Sequence, residues 1–163
     1  MSWSSLRLVD RLARADAFGR WLPAMAWAAV IFTLSTNWFS GEHTGSVLMP
    51  LLSALFPHAH PATLQAVHQG LRKAAHFTEY FVFTLLLYRA LRIGPEWSFR
   101  TALIALGIAA LYSIGDEFHQ SFAPGRVASA ADCLIDMSGA IAAQALIAAR
   151  ERRPLMPGAK SAS

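Results

Sequence analysis

"TALIALGIAALYSIGDEFHQ", residues 101–120, opens with fourteen residues that carry no charge and then sets two adjacent acids, a histidine and a glutamine into the last six. As a helix rising 1.5 Å per residue, the uncharged part alone covers about 21 Å, short of the roughly 30 Å of bilayer hydrocarbon. The helix reaches across only if it continues through Asp116, Glu117 and Gln120. The acids then lie within the span instead of beyond it.

The rest of the chain supports that choice. Of its 163 residues, 55% are hydrophobic and 15% charged, an unusual balance for a water-soluble domain. Apolar segments stand at 21–37, 74–88, 101–115 and 130–149. A buried helix of a soluble bundle keeps one wet face, which uncharged runs of this length do not supply. No small-x-small cleavage pattern follows the first segment, so it is expected to remain as a helix. The expected fold is therefore all-α: a four-helix transmembrane bundle with helices at about 21–37, 73–92, 99–121 and 130–150. The bundle occupies residues 21–150, between tails at 1–20 and 151–163. The connection 38–72 carries Pro50, Pro57 and Pro61 among apolar patches, which predicts two short amphipathic helices over the outer end of the bundle.

Charge sets the orientation. Eleven of the 14 Lys and Arg residues fall in the N-terminal tail, between the second and third segments, or in the C-terminal tail. By the positive-inside rule both termini are cytoplasmic, and the protein is a multi-pass protein of the cell membrane. The other side has only Arg72, Lys73 and Arg126, with six of the ten acids. The basic residues are scattered beside apolar segments, so nucleic acid is not expected as a partner. The single cysteine, Cys133, excludes an internal disulfide.

Counting from the cytoplasmic arginines places the acids by depth. Glu79 stands roughly 15 Å above Arg89, Asp136 roughly 21 Å above Arg150, Asp116 roughly 24 Å above Arg100 and Asp132 roughly 27 Å above Arg150. Carboxylates at such depth cost at least about 2.5–3.5 kcal/mol unless they face the bundle interior and find partners. Lys73, His76, His119, Gln120 and Arg126 occupy the same layer. Lys73, His76 and Tyr80 share one helical sector with Glu79 at its flank, and Asp116 shares a face with Gln120, as Asp132 does with Asp136. The pattern implies an outward-opening polar pocket.

"KAAHFTEY" (73–80), "DEFHQSFAPGR" (116–126) and "SAADCLIDMSG" (129–139) together resemble the VanZ-like family of small membrane proteins. Its signature runs K-x-x-H-x-x-x-Y, then D-E-x-x-Q with a later P-x-R, then S-x-x-D-x-x-x-N-x-x-G. The matching positions are Lys73, His76, Tyr80, Asp116, Glu117, Gln120, Pro124, Arg126, Ser129, Asp132 and Gly139, with Ser35 at the end of the first helix. Asp136 departs from the asparagine usual there, and Ala143 from a common second glycine. The resemblance implies an envelope membrane protein with a link to resistance against the glycopeptide teicoplanin, and it implies no particular reaction.

Three chemistries fit the polar layer. An ion-pair network would fix helix register. A binding site for an anionic lipid-linked or cell-wall component would use Lys73, Tyr80, Gln120, Arg126, Asp132 and Asp136, with His76, Glu79, Asp116 and Glu117 as candidate catalytic groups should the substrate be modified. A metal shell built on His76, Glu79, Asp116, Glu117 and His119 is opposed by the cations of the same layer, and no metal or cofactor is expected. No hydrolase elbow or phosphate loop is present. Ser129 reads as the N-cap of the last helix, with Asp132 at its third position.

Overall fold

The computed structural model describes residues 3–36, 41–94, 96–122 and 129–151. These form five helices and, among the described residues, no strand: α1 (Trp3–Leu34), α2 (Gly41–Leu55), α3 (Pro61–Leu91), α4 (Phe99–Gln120) and α5 (Ala130–Glu151). The all-α expectation is met. α4 ends at Gln120, so Asp116 and Glu117 do belong to the helix.

Two boundaries differ from expectation. α1 begins at Trp3, so most of the segment expected as a tail continues the first helix. The connection 38–72 holds one separate helix rather than two. α2 runs through Pro50, and the second apolar patch is the start of α3. The reason is local: the His60 side chain accepts the Ala62 N–H, Pro61 sits at the first helical position, and no proline follows before Leu91. Gly70 lies inside the helix with no neighbour within 4 Å of where a Cβ would point, and one glycine costs too little to break a helix of 31 residues.

α3 is the hub, packed against each of the other four helices, and its pairing with α5 is the most extensive in the molecule. That pairing rests on small residues. Gly139, Ala140 and Ala143 are buried on α5 beside Asp136. A Cβ on Gly139 would lie 2.2 Å from the Phe77 carbonyl oxygen and 3.2 Å from the Phe81 nitrogen, so the two backbones touch where Gly139 has only hydrogen. α1 is tied on by aromatic donors: Trp27 Nε1 donates to the Glu79 carbonyl at 2.9 Å, and the Tyr112 hydroxyl to the Ala28 carbonyl at 2.7 Å.

One end of the bundle collects basic groups. Arg20 Nη1 donates to the Arg92 carbonyl, and Arg92 pairs with Glu151 at 3.0 Å. The C-terminal ends of α1 and α4 and the start of α5 lie at the other end. The core mixes large apolar residues (Ile31, Phe83, Leu87) with small and polar ones. Asp136, Thr84, Ser113, Ala105 and Ala109 are buried, whereas Leu111 is 73% exposed, Leu134 72% and Phe118 64%. Large apolar residues on the outer surface, with small residues between the helices, suit a hydrocarbon solvent. By length and composition, α4 and α5 can each cross a membrane. Phe18–Leu34 and Thr44–Leu55 are shorter apolar stretches.

Replacing Gly139 by alanine sets a methyl against two backbone atoms that cannot rotate away. The expected cost is about 1–3 kcal/mol. Thermal unfolding of the detergent-purified chain, followed by far-ultraviolet circular dichroism, should show a lowered midpoint. An unchanged midpoint would mean that the α3–α5 contact is looser than described.

Candidate functional site

Asp136 is wholly buried, and its two carboxylate oxygens are both engaged. His76 Nδ1 lies 3.1 Å from Oδ1, and the Ser113 hydroxyl donates to Oδ2 at 2.7 Å. With Asp136 ionised it accepts both bonds, which places a proton on His76 Nδ1. Three helices thus meet on one carboxylate. Tyr80 is fully buried on α3, and its hydroxyl has no hydrogen-bond partner among the described residues.

A second group ties α1 to α4. Gln120 Nε2 donates to Asp116 Oδ2 at 3.0 Å, one helical turn away, and to Ser35 Oγ at 3.1 Å. A third ties α4 to α5: Glu117 Oε2 accepts the Ser129 backbone N–H at 2.7 Å, while Ser129 Oγ accepts the Asp132 N–H at 3.2 Å. Ser129 therefore caps α5 as expected from sequence. The reach-back to the cap N–H, which a capping box assigns to the third helical residue, comes instead from Glu117 on another helix.

Of the partners expected for the acids, His76 and Gln120 are bonded to Asp136 and Asp116, and the remaining bonds come from hydroxyls and a backbone N–H. Lys73, placed in this layer by its helical sector, is exposed. His119 is also exposed, with its ring 4.7 Å from that of Phe32. Arg126 and Pro124 lie outside the described residues. Asp132 is half-buried at the start of α5. Hydroxyls, a carboxamide, an imidazole and a backbone N–H cost less to desolvate than buried ammonium or guanidinium groups would, and among the described residues Asp116 Oδ1 and Glu117 Oε1 stay without a hydrogen-bond partner. Among the described residues, no three His, Cys, Asp or Glu side chains gather as a metal site.

Beside these bonds lies a cavity of about 240 Å³ between α2, α3 and the ends of α1 and α4. Its polar lining includes Ser35, His68, Arg72, His76, Glu79 and Gln120. On α3 these residues fall at 68, 72, 76 and 79, steps of four, four and three that make one helical stripe. His68 and Arg72 were not among the sequence candidates. The signal was present in that spacing, but the stripe crosses what reads as the boundary between the outer connection and the second apolar segment. His76 joins the two parts of the layer, bonded to Asp136 and also facing the cavity. The ion pairs among the described residues, His76–Asp136 and Arg92–Glu151, involve neither Arg72 nor Glu79.

The family model for VanZ/LLP1 matches residues 20–150. The chain belongs to the VanZ/LLP1 family. No curated protein and no solved structure matches it. The VanZ/LLP1 region contains every residue that lines the cavity and all three bonded groups. Family membership together with the two apolar helices points to a membrane protein.

His76 and Asp136 are coupled by the bond between them, so their replacements should not be additive. Either alanine variant alone leaves a buried partner unsatisfied, at about 1–3 kcal/mol. The double variant should cost less than the sum by about 1 kcal/mol. Asp136→Asn keeps an acceptor for one donor and should be milder than Asp136→Ala. The measurement is a double-mutant cycle on thermal or denaturant unfolding in detergent. Strict additivity would deny the coupling.

Proposed function

We propose that this VanZ/LLP1 protein is a multi-pass protein of the cell envelope that binds an anionic lipid-linked or cell-wall component in the cavity between α2 and α3. The observation that carries this is the cavity itself, where Arg72 and Glu79 line open space without an ion pair to any described residue, instead of being neutralised within the fold. A purely structural layer has no need of a volume of about 240 Å³ at its side. α1, α3, α4 and α5 serve as the spans. α1 carries its charged residues in its N-terminal part, α3 carries Arg72, Lys73 and Glu79 near its middle, and the basic end, with Arg20, Arg92 and Arg150, faces the cytoplasm. The cavity then opens outward, where glycopeptides such as teicoplanin act, and family membership supports a role in resistance to them.

A second reading is favoured by one group. Asp136, with His76 and Ser113, is closed off from solvent and fully bonded, as expected of a register-fixing network. The two readings divide the layer: Asp136 and Ser113 hold the helices, and Arg72 and Glu79 meet the ligand. His76 serves both. Its ring is oriented by Asp136 as imidazoles are in general-base pairs, so any modification of the ligand would begin there.

The division is testable. Arg72→Gln and Glu79→Gln should leave membrane abundance unchanged and reduce teicoplanin tolerance in a host that depends on the protein. Asp136→Leu should lower abundance itself. Full tolerance in both cavity variants would reject the functional cavity. A C-terminal reporter active only outside the cytoplasm would overturn the topology.

A further inference from the structure

The cavity's lining combines basic and hydrocarbon groups, and the combination specifies an occupant. Arg72 and His68 both come from α3. His68 is only 4% exposed, lines the cavity, and its Nε2 has no hydrogen-bond partner among the described residues. A ring nitrogen left dry and unpaired is costly unless a ligand pairs with it. Gly45 brings α2 down onto this ring, since a Cβ there would sit 3.3 Å from His68 Cε1. The lining also has hydrocarbon: Leu34 from α1, Leu48 from α2 and, beside Arg72 on α3, Leu71, which is half exposed.

The roof has the same character. α2 turns Val47, Leu51 and Leu55 away from the protein, with Val47 74% exposed. A helix covering a water-filled entrance would present polar residues on that face, whereas this one suits acyl chains. A ligand reaching the cavity past α2 therefore comes through lipid. Arg72 presents a planar fork of donors that matches phosphate oxygens. Glu79 stands seven residues further along α3, roughly 10 Å away, so an anion held at Arg72 escapes most of its repulsion.

We propose that the cavity between α2 and α3 holds the phosphate head of a membrane lipid, with Arg72 and His68 on the phosphate and Leu34, Leu48 and Leu71 against the start of its tail. This rests on the cavity being a functional site and commits to the lipid-linked class over a water-soluble wall fragment.

The test uses the full chain in phosphatidylcholine nanodiscs carrying a small fraction of photoreactive phosphatidic acid. Crosslinks should map to α2 and the first half of α3. Unlabelled phosphatidic acid should compete, and inorganic phosphate and glycerol 3-phosphate should not at the same concentration. Arg72→Gln should weaken labelling about tenfold or more, as expected for loss of a charge-assisted pair. Arg89→Gln, at the far end of the same helix, should have no effect. Arg72→Lys keeps the charge and should retain most labelling, and His68→Asn should lose several-fold, so the comparison survives if Arg72→Gln fails to accumulate. Equal loss in Arg89→Gln would reduce the effect to surface charge and overturn the proposal. Competition by inorganic phosphate as strong as by lipid would also overturn it, in favour of a soluble anion. If crosslinks fall elsewhere while the cavity variants lose teicoplanin tolerance, the lipid fails and the functional cavity stands. If crosslinks fall as expected and tolerance is untouched, the lipid stands and the envelope role fails.

Discussion

At Gly139 the backbone of α5 lies against the carbonyl of Phe77 with room for a hydrogen atom and nothing larger. The position of the polar layer follows from that contact. Phe77 is next to His76, and Gly139 is one turn beyond Asp136, so seating the two backbones together brings the imidazole within 3.1 Å of the carboxylate. Ala140 and Ala143 extend the flat strip on α5, and α3 then has its other faces free for α1, α2 and α4. Where lipid replaces water, apolar surface gains nothing by leaving solvent, so close van der Waals contact and hydrogen bonds have to hold helices together. The molecule uses both, side by side on the same pair of helices.

The acids of the layer are not equivalent, although they lie at similar depth. Asp136 is closed in and shared by three helices. Asp116 is bonded through Gln120 to the end of α1, and Glu117 caps the start of α5. Each is bonded across a helix junction and so acts as a clamp. Glu79 differs because it faces open space, with Arg72 on the same stripe. A chain that held its acids only for structure could bury all of them alike. The layer divides into clamped and cavity-facing groups, and His76 belongs to both.

How much of this was legible in the sequence differs from element to element. α4 and α5 were readable to within a residue because nothing interrupts their apolar runs and Ser129 announces its cap. The depth count placed Asp136 at about 21 Å and, by the same arithmetic, Ser113 and His76 lie at about 20 Å from Arg100 and Arg89. All three prove to be bonded together. α1 and α3 were read too short, because charged and amphipathic turns add no hydropathy signal yet continue a helix wherever no proline or cap stops it. That is also why His68 and Arg72 were missed: they sit on turns assigned to the outer connection and not to the second spanning helix.

By itself the sequence determined the helical class, the inclusion of Asp116 to Gln120 in α4, the capping of α5 and the meeting of His, Asp and Gln side chains at one level. These follow from spacing along a single helix axis, where rise and angle per residue are constant. Only the tertiary structure decided which partner each acid takes. It put Ser113 rather than a lysine on Asp136, turned Lys73 and His119 outward, and set Arg72 beside a cavity. Helical spacing gives a side chain's direction only relative to its own axis. How far each helix is rotated against its neighbours was set by the packing of Gly139 on Phe77, a contact between residues 62 positions apart in the chain.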